Sequence, residues 1–180
     1  MNTNLVMFHG EIKNIFMVKN NHILLRVKAD NNNVNFIITD PAIKRNFDCR
    51  IGDFVTIIGN VQSKKSVDGK KFHPTVFVTQ IARPASPYPS FNQFFISGKV
   101  VKTIPGDHCK IIVVRTMQDA RVSYVPVVFY QEDVILRSVT PGSFISASGR
   151  IQSVAKTIDC DTQKHYQNYV GNLSTLRKIS

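Results

Sequence analysis

The sequence predicts an all-β protein of two tandem five-stranded barrels, and three observations predict it. Apolar and polar residues alternate along short runs, one long stretch returns at a fixed offset, and a proline-rich segment separates the two copies. The alternation is clearest where Ile23, Leu25 and Val27 interleave with Leu24, Arg26 and Lys28. A period of two is that of a half-buried strand, so Arg26 and Lys28 fall on the face opposite the aliphatic set. After an asparagine-rich turn at 30–33, Val34 to Ile38 continues the pattern. Strands are expected over 5–16, 22–29, 34–39, 54–63 and 72–82. A helix-like segment at Pro41 to Asp48 lies between the third and fourth, where Asp40 can cap the chain and Pro41 can take the first helical position.

The stretch from Ile51 to Ser63 returns from Pro141 to Ser153, and Phe8 to Lys13 is echoed by Ile96 to Val101. The offsets are 90 and 88 residues, and Gly, Phe, Gly, Gln and Ser recur at matching places in the longer pair. Between the copies, Pro84, Pro87 and Pro89 remove backbone donors and hold the chain extended. The division expected is a first domain over 1–83, a linker over 84–93 and a second domain over 94–180. Strands in the second copy are expected at 94–104, 109–117, 121–130, 143–154 and 165–178, with a helix near 131–138. Five strands with a short helix between the third and fourth is the order of the OB-fold. The two glycines of the GxxVxxxG-type fourth strand suit its sharp bend, where a side chain would obstruct coiling. A plain β-sandwich is the alternative architecture.

The 23 lysines and arginines outnumber the 12 acidic residues, for a formal charge of +11. Residues 1–90 carry +6 of it and residues 91–180 carry +5, so the excess belongs to both copies. Such a field favours polyanions and speeds their encounter. No apolar run reaches the length needed to span a bilayer, and the first residues lack the pattern of a signal peptide, so a soluble cytoplasmic protein is expected. Cys49, Cys109 and Cys160 form no CxxC pair, and the five histidines are scattered. Reduced thiols, no metal, no cofactor and no catalysis are the expectation.

Tyr124-Val125-Pro126-Val127-Val128-Phe129-Tyr130, a polar helix, then Gly142-Ser143-Phe144-Ile145 and Gly149-Arg150-Ile151 resemble the core of the bacterial single-stranded DNA-binding proteins. The first copy resembles it through Gly52-Asp53-Phe54-Val55 and Gly59-Asn60-Val61. PriB-type primosomal proteins share much of the pattern. The resemblance implies sequence-independent binding of single-stranded DNA in replication, recombination or repair. It also implies a homodimer of two-barrel chains, with a helicase, primase or recombinase as partner. Carried over by position, Tyr124 and Tyr130 would stack bases; the first-copy positions fall near Asn33 and Thr39, neither aromatic. The chain has no tryptophan and ends without an acidic tail, two departures from the family. An OB-fold adaptor of the primosomal kind and an RNA-binding module are the alternatives.

Holding a single strand takes a basic groove and aromatic faces. The hairpin Ser63 to His73 places Lys64 and Lys65 on one arm and Lys70, Lys71 and Phe72 on the other, about a tight Asp68-Gly69 turn. A finger of solvated lysines is its bland reading, with Phe72 in the core. Arg26 and Lys28 would contact phosphate from the second strand, while Lys110 and Arg115 sit on a strand too continuously apolar to assign. Tyr124 and Tyr130 would face outward and Val125, Val127 and Phe129 inward, although parity alone also allows the reverse. Arg150, Lys156, Lys164 and Tyr166 complete the candidate set, Tyr166 either stacking bases or closing the barrel end.

Overall fold

In the computed structural model, residues 3–65, 72–85, 88–106, 108–118, 120–130, 134–158, 162–171 and 177–179 are described. Side chains among them are described for 3–63, 74–85, 88–106, 108–118, 120–130 and 135–152. The first strand, β1 (Thr3–Val18), runs through a short 3-10 turn into β2 (His22–Ala29), followed by β3 (Asn32–Ile38), α1 (Pro41–Arg45), β4 (Phe54–Lys65) and β5 (Phe72–Ala82). Each expected strand of this half is present, and several are longer than alternation alone predicts. Asp40 caps α1 as expected, its carboxylate accepting from the backbone N–H groups of Ala42 at 2.7 Å and Ile43 at 3.3 Å.

These strands close into a barrel. Antiparallel pairs join β1 to β2, β2 to β3, β4 to β5 and β1 to β4, and the parallel pair Phe36↔Val76 and Ile37↔Phe77 joins β3 to β5. Phe8 and Phe36 meet edge-on at 5.0 Å inside it, with Val6, Leu25, Val27 and Ile57 also fully buried. Burying each of these side chains favours folding by roughly 1.5–3 kcal/mol.

The remaining strands belong to the same 11-stranded sheet. They are β6 (Phe91–Pro105), β7 (Lys110–Gln118), β8 (Arg121–Phe129), β9 (Phe144–Ile158), β10 (Thr162–Gly171) and β11 (Arg177–Ile179), with α2 (Val134–Ser138) between β8 and β9. Their partners repeat the first order: β6 with β7, β7 with β8, β8 parallel to β10, β10 with β9, and β9 with β6. β11 adds to the edge of β9. The sixth strand starts at Phe91, inside the segment read as linker from sequence.

The repeat extends to single hydrogen bonds. Gly52 donates to the Ile12 carbonyl at 2.9 Å and Gly142 to the Val100 carbonyl at 2.8 Å. Both glycines sit in the turn before the fourth strand of their copy, not within it, at φ of 96° and 97°. That left-handed conformation favours glycine, so a turn rather than a bend explains this pair. Asn4 clamps Val61, donating to its carbonyl at 2.7 Å and accepting from its N–H at 2.8 Å. Asn92 clamps Ile151 in the same way at 2.7 and 2.9 Å.

The halves join edge to edge through β1 and β6, paired antiparallel from Thr3↔Ser97 to His9↔Phe91. Val6 lies opposite Phe94, and these two are separated by 88 residues, the repeat offset itself. A local two-fold therefore passes between them, and the two copies meet as equivalent edges.

Candidate nucleic-acid interface

Directly opposed residues of antiparallel strands share a face, so register assembles side chains that lie far apart in sequence. Phe144 of β9 opposes Lys99 of β6, Lys99 opposes Arg115 of β7, and Arg115 opposes Tyr124 of β8. Four strands thus carry a ring, two cations and a second ring in one row. At the usual strand spacing the row spans about 14 Å. Lys99 and Arg115 are exposed, Phe144 is 45% exposed and Tyr124 is half-buried, while Val125, Val127, Phe129 and Ile145 point into the core.

Two of these four were not candidates from sequence. A bulge in β6 between Val100 and Lys102 shifts the register beyond Lys99, so parity along one strand does not show what faces Arg115. Phe144 opens a strand in a repeated Gly-x-Phe pattern, and nothing local to that pattern tells which side chains it faces across the sheet.

The equivalent row of the first half is Phe54, Glu11, Lys28 and Asn33. Its single carboxylate forms an ion pair with Lys13 at 2.5 Å, and an amide stands where the other half has a tyrosine. One row carries two positive charges and two rings, the other no net charge and one ring.

Lys28 is exposed, and Arg26 is half-buried with its Nε donating to Asn35 Oδ1 at 3.2 Å. Tyr130 follows the end of β8 and is 53% exposed. Arg150 is exposed on β9, six residues beyond Phe144 and so about 20 Å along the strand from the row. Lys110 has another role: its ammonium donates to the carbonyls of Leu136 at 2.7 Å and Val139 at 3.2 Å, closing the end of α2.

Ser63 brings the lysine hairpin into play, because its hydroxyl donates to the backbone carbonyl of Tyr124. The arm that continues as Lys64 and Lys65 therefore leaves the first half beside the row of the second. In register Lys64 opposes His73, Lys65 opposes Phe72, and Lys156 opposes Lys164. The side chains of Lys64, Lys65, Phe72, Lys156, Lys164 and Tyr166 lie outside those described, as do Lys70 and Lys71 altogether.

A second aromatic group lies at the junction. His9 is fully buried, its Nδ1 3.1 Å from Thr56 Oγ1, and Tyr88 stacks on it with centroids 4.0 Å apart. Phe54 and Phe91 flank the imidazole at 5.9 and 5.8 Å, and the Tyr88 hydroxyl hydrogen-bonds the same threonine. Tyr88 thus pins the proline-rich segment to the outer face of β1 and β4, which a reading of that segment as a spacer does not anticipate.

Desolvation lowers the His9 pKa below its ordinary 6.5, against smaller opposing effects from the backbone of Val55 and Tyr88. The unfolded chain then binds the extra proton first as pH falls. Stability from neutral His9 is complete above about 6.5 and lost as pH drops from there through the lower folded value. Thermal melts from pH 8 to 5 should fall in midpoint for the wild type and fall less for His9→Phe. Equal slopes would show that His9 carries none of the dependence.

No helix among the described residues is long and apolar enough to cross a membrane, and no cluster of three or more candidate metal ligands occurs among them. No protein-family model matches the chain, and no curated protein matches it either. Among solved structures it is similar to two of the single-stranded DNA-binding protein from Thermus aquaticus. A deletion variant of that protein superposes with a TM-score of 0.71 at 10% identity, covering 99% of this chain and 95% of the other. The wild type superposes at 0.68 with 11% identity, covering 99% and 94%. At such identities the likeness is one of fold: this chain shares an OB-type all-β architecture with the Thermus protein.

Proposed function

We propose that the chain is two OB barrels in tandem that bind single-stranded nucleic acid, DNA in preference to RNA, and perform no chemistry on it. The observation that carries this reading is the row Phe144, Lys99, Arg115 and Tyr124, in which rings flank two cations on an exposed strand surface. Stacking on a ring is worth about 1–3 kcal/mol per base whatever the base, and cations follow the phosphates. The repeated order of strand partners supports a second barrel, with domains proposed at 1–83 and 94–180 joined through 84–93, whose last three residues open β6. The likeness of fold to a protein named for binding single-stranded DNA, and the +11 charge, support the ligand.

In this reading the second half grips bases. The first half, with its neutral row, contributes phosphate contacts from Lys28, the lysine hairpin and Arg26, and otherwise serves assembly. Tyr130, Arg150 and the β9–β10 hairpin with Lys156, Lys164 and Tyr166 extend the path of the strand. A cytoplasmic homodimer acting in replication or recombination beside a helicase, primase or recombinase is the setting proposed.

A fluorescence titration of single-stranded DNA, RNA and duplex of one sequence at low and high salt tests the ligand. Tight, salt-weakened binding of the DNA strand is expected, with RNA weaker and duplex weakest. Preference for RNA would change the substrate, and equal affinity for duplex would refute the function.

A further inference from the structure

Between the halves lies a cleft of about 330 Å3, near the lower end of the usual range for ligand pockets. Asn60 and Gln62 of β4, Phe77 of β5 and Asp40 line it from the first half, and Gln118 and Arg121 at the tip of the β7–β8 hairpin line it from the second. Two hydrogen bonds fix the walls relative to each other: Asn4 Nδ2 to Thr116 Oγ1 at 3.2 Å, and Ser63 to the carbonyl of Tyr124.

The lining is the complement of a single nucleotide. Phe77 is half-buried and offers a ring to a base face. Gln62 Nε2 donates to Asn60 Oδ1 at 3.2 Å, which orients both carboxamides and directs the Asn60 amide nitrogen and the Gln62 carbonyl oxygen elsewhere. An adjacent donor and acceptor of this kind match the edge of an unpaired base. Arg121 is exposed and has the planar fork that suits a phosphate. Asp40 is the opposing charge; one of its oxygens is taken by the N-terminus of α1, and it disfavours phosphate at its own end. A nucleotide held there would be oriented with phosphate toward Arg121 and base toward Asn60 and Gln62.

We propose that this cleft, on the face of the β7–β8 hairpin opposite Arg115 and Tyr124, holds one nucleotide of a single strand that rounds the tip of the hairpin from the Tyr124 row toward the first half. The proposal rests on the single-strand reading above and adds a base-contacting site at the seam. Both variants of the test, Arg121→Ala and Gln62→Ala, lie at or near the surface and should leave the thermal midpoint unchanged. They are titrated as full chains with oligo(dT) of about 5 nucleotides, within the site of one barrel, and about 30 nucleotides, enough for both.

The double variant should bind the long oligonucleotide about tenfold more weakly, a loss within that of one polar base or phosphate contact. The short one should bind unchanged. A photoreactive thymidine analogue in the long oligonucleotide should also crosslink to the wild-type peptide holding Gln118 and Arg121. If the wild type binds the long strand tightly and the double variant does the same, the cleft is not a site, while the single-strand reading stands. Equal losses on both lengths would likewise overturn the seam assignment. Failure of the wild type to bind either length would instead sink the underlying function.

Discussion

Replacing Tyr124 and Phe144 together by alanine should remove most of the affinity for oligo(dT), a loss of about 2–6 kcal/mol if each ring stacks one base. The two rings end one cross-strand row, with Lys99 and Arg115 between them. A strand laid along the row meets ring, charge, charge and ring in turn. Both side chains lie on the outer face, so their removal leaves no void among Val125, Val127, Phe129 and Ile145, and the melting midpoint should move little. Phe54→Ala is the internal control, because Phe54 occupies the equivalent place, beside Glu11 in a row that ends on Asn33, and should matter much less to binding. Equal losses from Phe54→Ala and Phe144→Ala would mean that the halves bind alike.

Gly98→Ala should cost stability on the order of 3 kcal/mol or more, as other forced clashes in packed structure do. A Cβ at Gly98 would lie 2.2 Å from the Arg115 carbonyl oxygen and 3.2 Å from a Val114 methyl. A backbone oxygen cannot swing aside as a side-chain tip can, so β6 and β7 must separate. Those strands present Lys99 and Arg115, so binding should weaken along with stability. Gly10→Ala produces the same clash in the first half, 2.2 Å from the Lys28 carbonyl oxygen, and should cost comparable stability with a smaller loss of binding. Urea denaturation with oligo(dT) titration of both variants checks this; a Gly98→Ala protein with an unchanged midpoint would contradict it.

The strand order is legible because it rests on local chemistry. Alternation in β2 separates Ile23, Leu25 and Val27 from Arg26 and Lys28, and Asp40 with Pro41 announces the helix start. The matched stretches announce the duplication because both copies need the same turn glycine, at Gly52 and Gly142.

The candidate interface is less legible because it depends on pairings between distant segments. Tyr124 and Arg115 can be suspected singly, but their opposition, and that of Lys99 and Phe144, follows from register and from the β6 bulge. Lys110 illustrates the converse: its charge suits a phosphate, yet two helix-end carbonyls occupy it. The β1–β6 seam joins residues about 90 apart, and no local pattern announces it. His9 and Tyr88 escape notice for the same reason, since a proline-rich segment carries no sign that one of its rings will fold back onto a strand.

If the cations of the row neutralise phosphates of a single strand, the affinity must carry their signature in its response to salt. The most direct measurement is the salt dependence of binding to single-stranded DNA, wild type against the Lys99→Ala/Arg115→Ala double variant. Each phosphate left without its cation should flatten the plot of log affinity against log salt by roughly 0.7, so the pair should flatten it by about 1.4. A double variant with the wild-type slope would show that the strand lies elsewhere.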